Sequence, residues 1–167
     1  MTDLYCTFRP FSPEQFTKTI LKEYYSLPDP HFARSPAGKP YIPGAAVHFN
    51  LSHSGNLKIL AVSAEETGVD CESLDGKIRP AVLSRFTERE RGEIRSDRDF
   101  LFHWTAREAY VKYRGSTLAE LWRKTEFYRG RIFVGGIRAP ETPALFEWKG
   151  FAVCLCPGDA GYSLTEI

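Results

Sequence analysis

The sequence is poor in cysteine, with four in 167 residues, and it has a single methionine. Cys6, Cys71, Cys154 and Cys156 form no CxxC pair and are matched by no histidine pair, which excludes the common zinc patterns. They read as small core residues of a reducing compartment, and Cys154 and Cys156, two apart in an apolar run, should point the same way from one strand. Long hydrophobic runs are also missing. The longest aliphatic stretch is Ile59-Leu60-Ala61-Val62, far below the roughly 20 residues of a membrane span. MTDLYCTFRP has no charged-then-apolar signal pattern, so the expectation is a cytoplasmic protein without membrane attachment. Charge of one sign is lacking too: 22 basic against 21 acidic side chains leave +1. Nothing there argues for nucleic acid, and any anion site must be local. What is present, 43% hydrophobic and 14% aromatic residues, is enough for one compact domain and too much for a disordered chain.

Along the chain, Ser12-Pro13-Glu14 looks like a helix start, followed by Phe16, Ile20 and Tyr24 at i, i+4 and i+8. A loop rich in Pro and Gly runs over 34–43. Strands are expected at 46–50 and 57–63, with a turn at Ser54-Gly55-Asn56 between them, and an extended stub at 69–72. Residues 85–99 hold five arginines and five acids, read as a solvated helical face. Residues 99–113 are the clearest helix. Strands are then expected at 126–128, 131–137, 144–148, 151–156 and 162–165. Helix plus strands thus occurs twice, which predicts an α+β fold of two similar lobes, 1–75 and 76–167, forming one compact domain.

Three patches carry chemistry. Asp70 and Glu72 lie at i and i+2, so an extended segment puts both carboxylates on one side and Cys71 on the other. They are either a solvated strand end or hard oxygen ligands suited to Mg²⁺. Trp104, Glu108 and Lys112 fall at i, i+4 and i+8 on one helix face. That row is either a core indole with a surface ion pair or a third metal carboxylate beside a phosphate-neutralising cation. Ser52-His53-Ser54 precedes Gly55, where side-chain and backbone donors suit a phosphate, while adjacent strand residues point apart and argue against a Ser–His nucleophile pair.

Gly38-Lys39-Pro40, Phe49-Asn50-Leu51-Ser52-His53-Ser54, Gly68-Val69-Asp70-Cys71-Glu72, Arg85-Phe86-Thr87-x-x-Glu90 and Trp104-Thr105-x-Arg107-Glu108-Ala109-x-x-Lys112 occur in this order. The series resembles the 4′-phosphopantetheinyl transferase superfamily, in its monomeric, two-lobe, Sfp-like type rather than the short trimeric holo-acyl-carrier-protein synthases. The resemblance implies two pseudo-symmetric α/β lobes with coenzyme A in the cleft between them. It implies transfer of the phosphopantetheine arm to a serine of an apo acyl or peptidyl carrier protein, with release of adenosine 3′,5′-bisphosphate. It implies Mg²⁺, with Mn²⁺ as an alternative, on Asp70, Glu72 and Glu108, and Lys112 on the phosphates. Glu108, or a metal-bound water beside it, would take the serine proton. Lys39 and Pro40 would line the adenine, Ser52 would meet the pyrophosphate and His53 the 3′-phosphate. Glu90 matches a family carboxylate. Arg107 stands where the family commonly has Lys, as a surface charge or a site residue. Lys18, Lys22 and Arg34 stand in, by position, for the family's N-terminal basic residues. A coenzyme A or nucleotide binder without catalysis and a Mg²⁺-dependent phosphohydrolase are the competing functions.

Overall fold

A computed structural model describes residues 1–121 and 123–167. Its first element is a strand, β1 (Thr2–Thr7), where the sequence suggested that a helix comes first. The reason is burial on both faces: Leu4 and Cys6 enter one apolar cluster and Tyr5 another. Such a strand shows no polar alternation to mark it.

The expected helix follows as α1 (Pro13–Tyr25). Ser12 Oγ accepts from the Gln15 N–H at 3.1 Å and the Gln15 side chain accepts from the Ser12 N–H at 2.9 Å, a reciprocal cap that satisfies two orphan donors. Phe16 and Ile20 are buried as expected, joined by Leu21, whereas Tyr24 is half exposed. The loop at 34–43 holds two short paired strands, β2 (Ala33–Arg34) and β3 (Pro40–Tyr41). A hairpin of β4 (His48–Ser54) and β5 (Leu57–Ser63) turns at Gly55, whose φ of 56° is easily reached only without a side chain. The first of these strands extends past residue 50, so Ser52, His53 and Ser54 lie on it rather than in a turn. Next come β6 (Gly68–Ser73), α2 (Pro80–Leu83), α3 (Glu88–Glu93), α4 (Asp97–Tyr113) and α5 (Leu118–Leu121). The tail is β7 (Thr125–Tyr128), β8 (Arg131–Val134), β9 (Ile137–Arg138), β10 (Ala144–Trp148), β11 (Phe151–Cys156) and β12 (Tyr162–Glu166), with Gly135-Gly136 dividing the strand expected at 131–137.

Two sheets form the centre, one ordered β12-β1-β5-β4 and the other β10-β11-β6. Leu4, Cys6 and Ile59 of the first meet Cys71, Val153 and Leu155 of the second in a common core. The other face of the first sheet packs on α1 through Tyr5, Leu60, Phe16 and Ile20. The other face of the second packs on α4, where Cys154 and Cys156 meet Ala106, Ala109 and Tyr110. All four cysteines are free and buried. Each sheet thus carries one helix on its outer side, an α+β arrangement built twice. Among the described residues, strand pairing nevertheless crosses the 75/76 boundary twice. β6 pairs antiparallel with β11, and β12 pairs parallel with β1.

Candidate functional site

The site forms where β6 passes beneath α4. On β6, Asp70 and Glu72 stand opposite Cys154 and Ala152 of β11, on the side covered by α4. Cys71 turns the other way into the core between the sheets, where burial pushes its thiol up to about 12. The strand lies unusually close to the helix because residue 68 is glycine. A Cβ there would fall under 3.0 Å from the Ala109 carbonyl oxygen and the Tyr113 nitrogen.

Asp70, Glu72, Trp104, Glu108 and Lys112 line one groove of about 280 Å³, with Leu51, Ser52 and His53 of β4 as its other wall. Lys112 Nζ donates to Asp70 Oδ1 at 2.7 Å and to Ser52 Oγ at 3.1 Å, and Ser52 Oγ donates to Asp70 Oδ1 at 2.7 Å. Burial alone would weaken the hold of Lys112 on its proton. The charge of Asp70 and its hydrogen bond outweigh burial, and the ammonium is held above its ordinary value. Burial, reinforced by the like charge of Asp70, raises Glu72 against the opposing pull of Ser54, Arg79 and Trp104. Glu108 rises to about 7, first through burial and then through repulsion by Asp70 and Glu72, with Lys112 and Arg79 opposing. The site is therefore overloaded with negative charge. Asp70 Oδ2 is buried with no hydrogen-bond partner. Among the described residues, no three acidic, histidine or cysteine side chains form a ready-made metal cluster.

The other expected site residues are distributed differently. His53 is exposed beside the acids. Ser52 is 5% exposed, with its hydroxyl engaged by Asp70, Lys112 and the Cys71 N–H. Lys39 and Pro40 lie in a separate groove of about 530 Å³ with Ile42, Pro43 and Gly115, at the C-terminal end of α4. Lys39 Nζ donates to Glu66 Oε2 at 2.6 Å and to the Thr67 carbonyl at 2.9 Å, and Glu66 Oε1 also contacts His48 Nδ1 at 2.9 Å. Lys18 and Arg34 line a third groove with Pro40 and Leu51, while Lys22 is an exposed residue of α1. Leu51 borders both that groove and the acidic one.

Two charged residues are placed in the core, not in the acidic groove. Arg107 is 1% exposed and pairs with Glu90, which is fully buried, at 3.5 Å. Glu90 caps α3 through the Thr87 N–H and accepts from the Phe127 N–H at 2.8 Å, so the pair ties α3, α4 and β7 together. The solvated face expected over 85–99 therefore holds a buried acid. The contact of Ser54, read only as a phosphate donor, with Glu72 at 3.2 Å, and the stacking of Arg79 on Trp104 at 4.8 Å escaped sequence reasoning. Spacing held a signal for the first, because Ser52 and Ser54 repeat at the same interval as Asp70 and Glu72. The second comes from a loop and had none.

Comparison with known proteins bears on this groove. The chain is 31% identical over 112 residues to the 4′-phosphopantetheinyl transferase ffp of Bacillus subtilis, covering 61% of this chain and 50% of that protein. It is 29% identical over 115 residues to the transferase Sfp of Bacillus subtilis strain 168, again 61% and 50%. Against HetI of Nostoc it is 38% identical over 82 residues, 44% of this chain and 35% of that protein. The chain spans about half the length of the curated Bacillus relatives it matches. Residues 66–156, more than half of the chain, match a family profile. That stretch contains both the strand bearing Asp70 and Glu72 and the helix bearing Glu108 and Lys112, and by it the chain belongs to the 4′-phosphopantetheinyl transferase superfamily.

Proposed function

We propose that this protein transfers the 4′-phosphopantetheine arm of coenzyme A to a serine hydroxyl of an apo acyl or peptidyl carrier protein. The observation that carries this reading is the convergence of Asp70, Glu72, Glu108 and Lys112 on one groove in a chain of this superfamily. A divalent cation fits the residues present. The donors are hard carboxylate oxygens, one of them, Asp70 Oδ2, buried and without a partner, and burial first and the neighbouring carboxylates second keep Glu72 and Glu108 above their ordinary values. Mg²⁺ usually takes one or two carboxylates and completes its shell with phosphate and water, so a ready-made three-ligand cluster is not required. Asp70, Glu72 and Glu108 would hold Mg²⁺, or Mn²⁺ in its place. When bound, the cation neutralises charge on the pyrophosphate oxygens.

The chain's own groups do the rest. The serine oxygen bonds to the phosphorus that carries the pantetheine arm. The bond from that phosphorus to the bridging oxygen breaks, and adenosine 3′,5′-bisphosphate leaves. Glu108, or a water beside it, would take the serine proton, since its carboxylate lines the same groove as Lys112. Lys112, fixed by Asp70 and Ser52, places its positive charge where phosphate oxygens become more negative. Ser52, its hydroxyl committed to Asp70, Lys112 and the Cys71 N–H, would meet the pyrophosphate only by giving up one of these partners, while His53 would take the 3′-phosphate from its exposed position and Lys39 and Pro40 would border the adenine.

The test is mass spectrometry of an apo carrier protein incubated with coenzyme A, Mg²⁺ and this protein. The expected product is the carrier heavier by one phosphopantetheine arm. An unmodified carrier with coenzyme bound would leave a binder, and coenzyme breakdown without any carrier would make the protein a hydrolase.

A further inference from the structure

β4 and β6 run side by side, yet their backbones pair elsewhere, β4 with β5 and β6 with β11. Side chains of β4 replace the missing ladder. Asn50 Oδ1 accepts from the Val69 N–H at 2.8 Å, Ser52 Oγ from the Cys71 N–H at 3.3 Å, and Ser54 Oγ from the Ser73 N–H at 3.0 Å. Every second residue of one strand thus satisfies every second N–H of the other, which would be costly to leave buried and unpaired. The three rungs are not equivalent. A serine hydroxyl that accepts a backbone N–H still has one proton to donate, and here both protons go to acids. Ser52 donates to Asp70 Oδ1 at 2.7 Å and Ser54 to Glu72 Oε2 at 3.2 Å. Asn50 gives the same stitch, its rung meeting the backbone of Val69 instead of an acid.

We propose that Ser54 is a positioning residue for Glu72, working in the same manner as Ser52 for Asp70. By tying one oxygen of each carboxylate it presents the other to a divalent cation. The oxygens not taken by the serines are then Asp70 Oδ2, which has no hydrogen-bond partner, and Glu72 Oε1, which stands 3.9 Å from Arg79 on a carboxylate that Trp104 also hydrogen-bonds. Ser54 is the more informative of the two serines, because Ser52 also binds Lys112. This inference rests on the metal reading of the acidic groove.

The experiment is Mn²⁺ titration of the purified chain, followed by electron paramagnetic resonance without coenzyme or carrier, with a thermal melt of each variant. Ser54→Ala should bind Mn²⁺ about ten-fold more weakly, the loss typical of an outer partner of a metal ligand. Ser54→Thr, which keeps the hydroxyl and suits a strand, should restore it. Asn50→Ala should lower the melting temperature while leaving Mn²⁺ affinity at the wild-type value. Equal Mn²⁺ affinity in wild type and Ser54→Ala overturns the proposal, and so does failure of Ser54→Thr to restore binding. An equal loss in Asn50→Ala would reduce Ser54 to a strand stitch. Asp70→Ala separates the two readings: if it abolishes Mn²⁺ binding and Ser54→Ala does not weaken it, the metal site stands and the positioning role falls. A wild-type chain that takes up no Mn²⁺ removes both.

Discussion

Single side chains set the chemistry of the acidic groove. Asp70, Glu72 and Glu108 bring negative charge into a partly buried space that Lys112 only partly offsets. If the three hold the cation, replacing any one of them with alanine should nearly abolish transfer; Glu72→Ala and Glu108→Ala should melt close to the wild type, whereas Asp70→Ala, which strips Lys112 of its buried partner, should melt lower. Steady-state assays at saturating Mg²⁺ check this, and near wild-type turnover in two of the three variants would break the assignment. His53 makes a narrower claim. It is exposed beside the acids, and a charge-assisted contact from it to a 3′-phosphate is worth roughly 1.5–3 kcal/mol. His53→Ala should therefore weaken coenzyme A in a calorimetric titration and leave dephospho-coenzyme A nearly unchanged. An equal loss for both ligands removes it from that role.

Between elements, the decisive contact is β6 against α4. The strand approaches so closely at Gly68 that an added methyl would strike the backbone of α4 at Ala109 and Tyr113. Backbone cannot move aside as a flexible side chain does. Gly68→Ala should cost about 1–3 kcal/mol by overpacking, read as a lower melting temperature, and should also reduce transfer by moving Asp70 away from Lys112. A variant as stable and active as the wild type would show that the approach is not needed. The arginines of α2, α3 and their flanking loops divide by their contacts. Arg79 stacks on Trp104, Arg89 pairs with Glu126, and Arg91 donates to the Phe86 carbonyl at 2.8 Å, whereas Arg85 and Arg95 are exposed. If this face steers an acidic carrier protein, Arg85→Glu with Arg95→Glu should raise the carrier KM and spare coenzyme binding. Salt should then weaken the wild type more than the variant, since exposed charges are screened over about 10 Å at 0.1 M. Identical salt responses in stopped-flow association would place docking on another surface.

At the scale of the whole molecule, two sheet-and-helix units share one core, and each receives a strand from the other part of the chain. β6 completes the sheet beneath α4, and β12 extends the sheet covered by α1. The acidic groove draws its walls from β4, β6 and α4 of the same chain. With both walls supplied in this way, no second copy is needed to close the groove, and the chain should behave as a monomer. Light scattering at micromolar concentration checks this, and a stable trimer without monomer would overturn it.

Sequence periodicity alone determined what depends on local geometry. An i, i+2 spacing put Asp70 and Glu72 on one side of a strand with Cys71 behind them, and an i, i+4, i+8 spacing put Trp104, Glu108 and Lys112 on one helix face. Those relations follow from backbone repeat and hold before any packing occurs. Tertiary structure decided everything that required distant segments to meet. β1 was illegible because both of its faces are buried, and its partner β12 lies at the far end of the chain. Glu90 lies in a stretch that read as a solvated face and matched a family carboxylate, and Arg107 read as either a surface charge or a site residue; only the closure of α3 and β7 over α4 makes them a buried pair. Lys39, expected at the adenine by resemblance, lies in a groove separate from the acids and is held there by Glu66, a partner from another loop that no spacing rule links to it. Periodicity sets the direction in which a side chain leaves its own strand or helix, while the partner it meets is chosen by chain closure over tens of residues, a long-range property that no local pattern encodes.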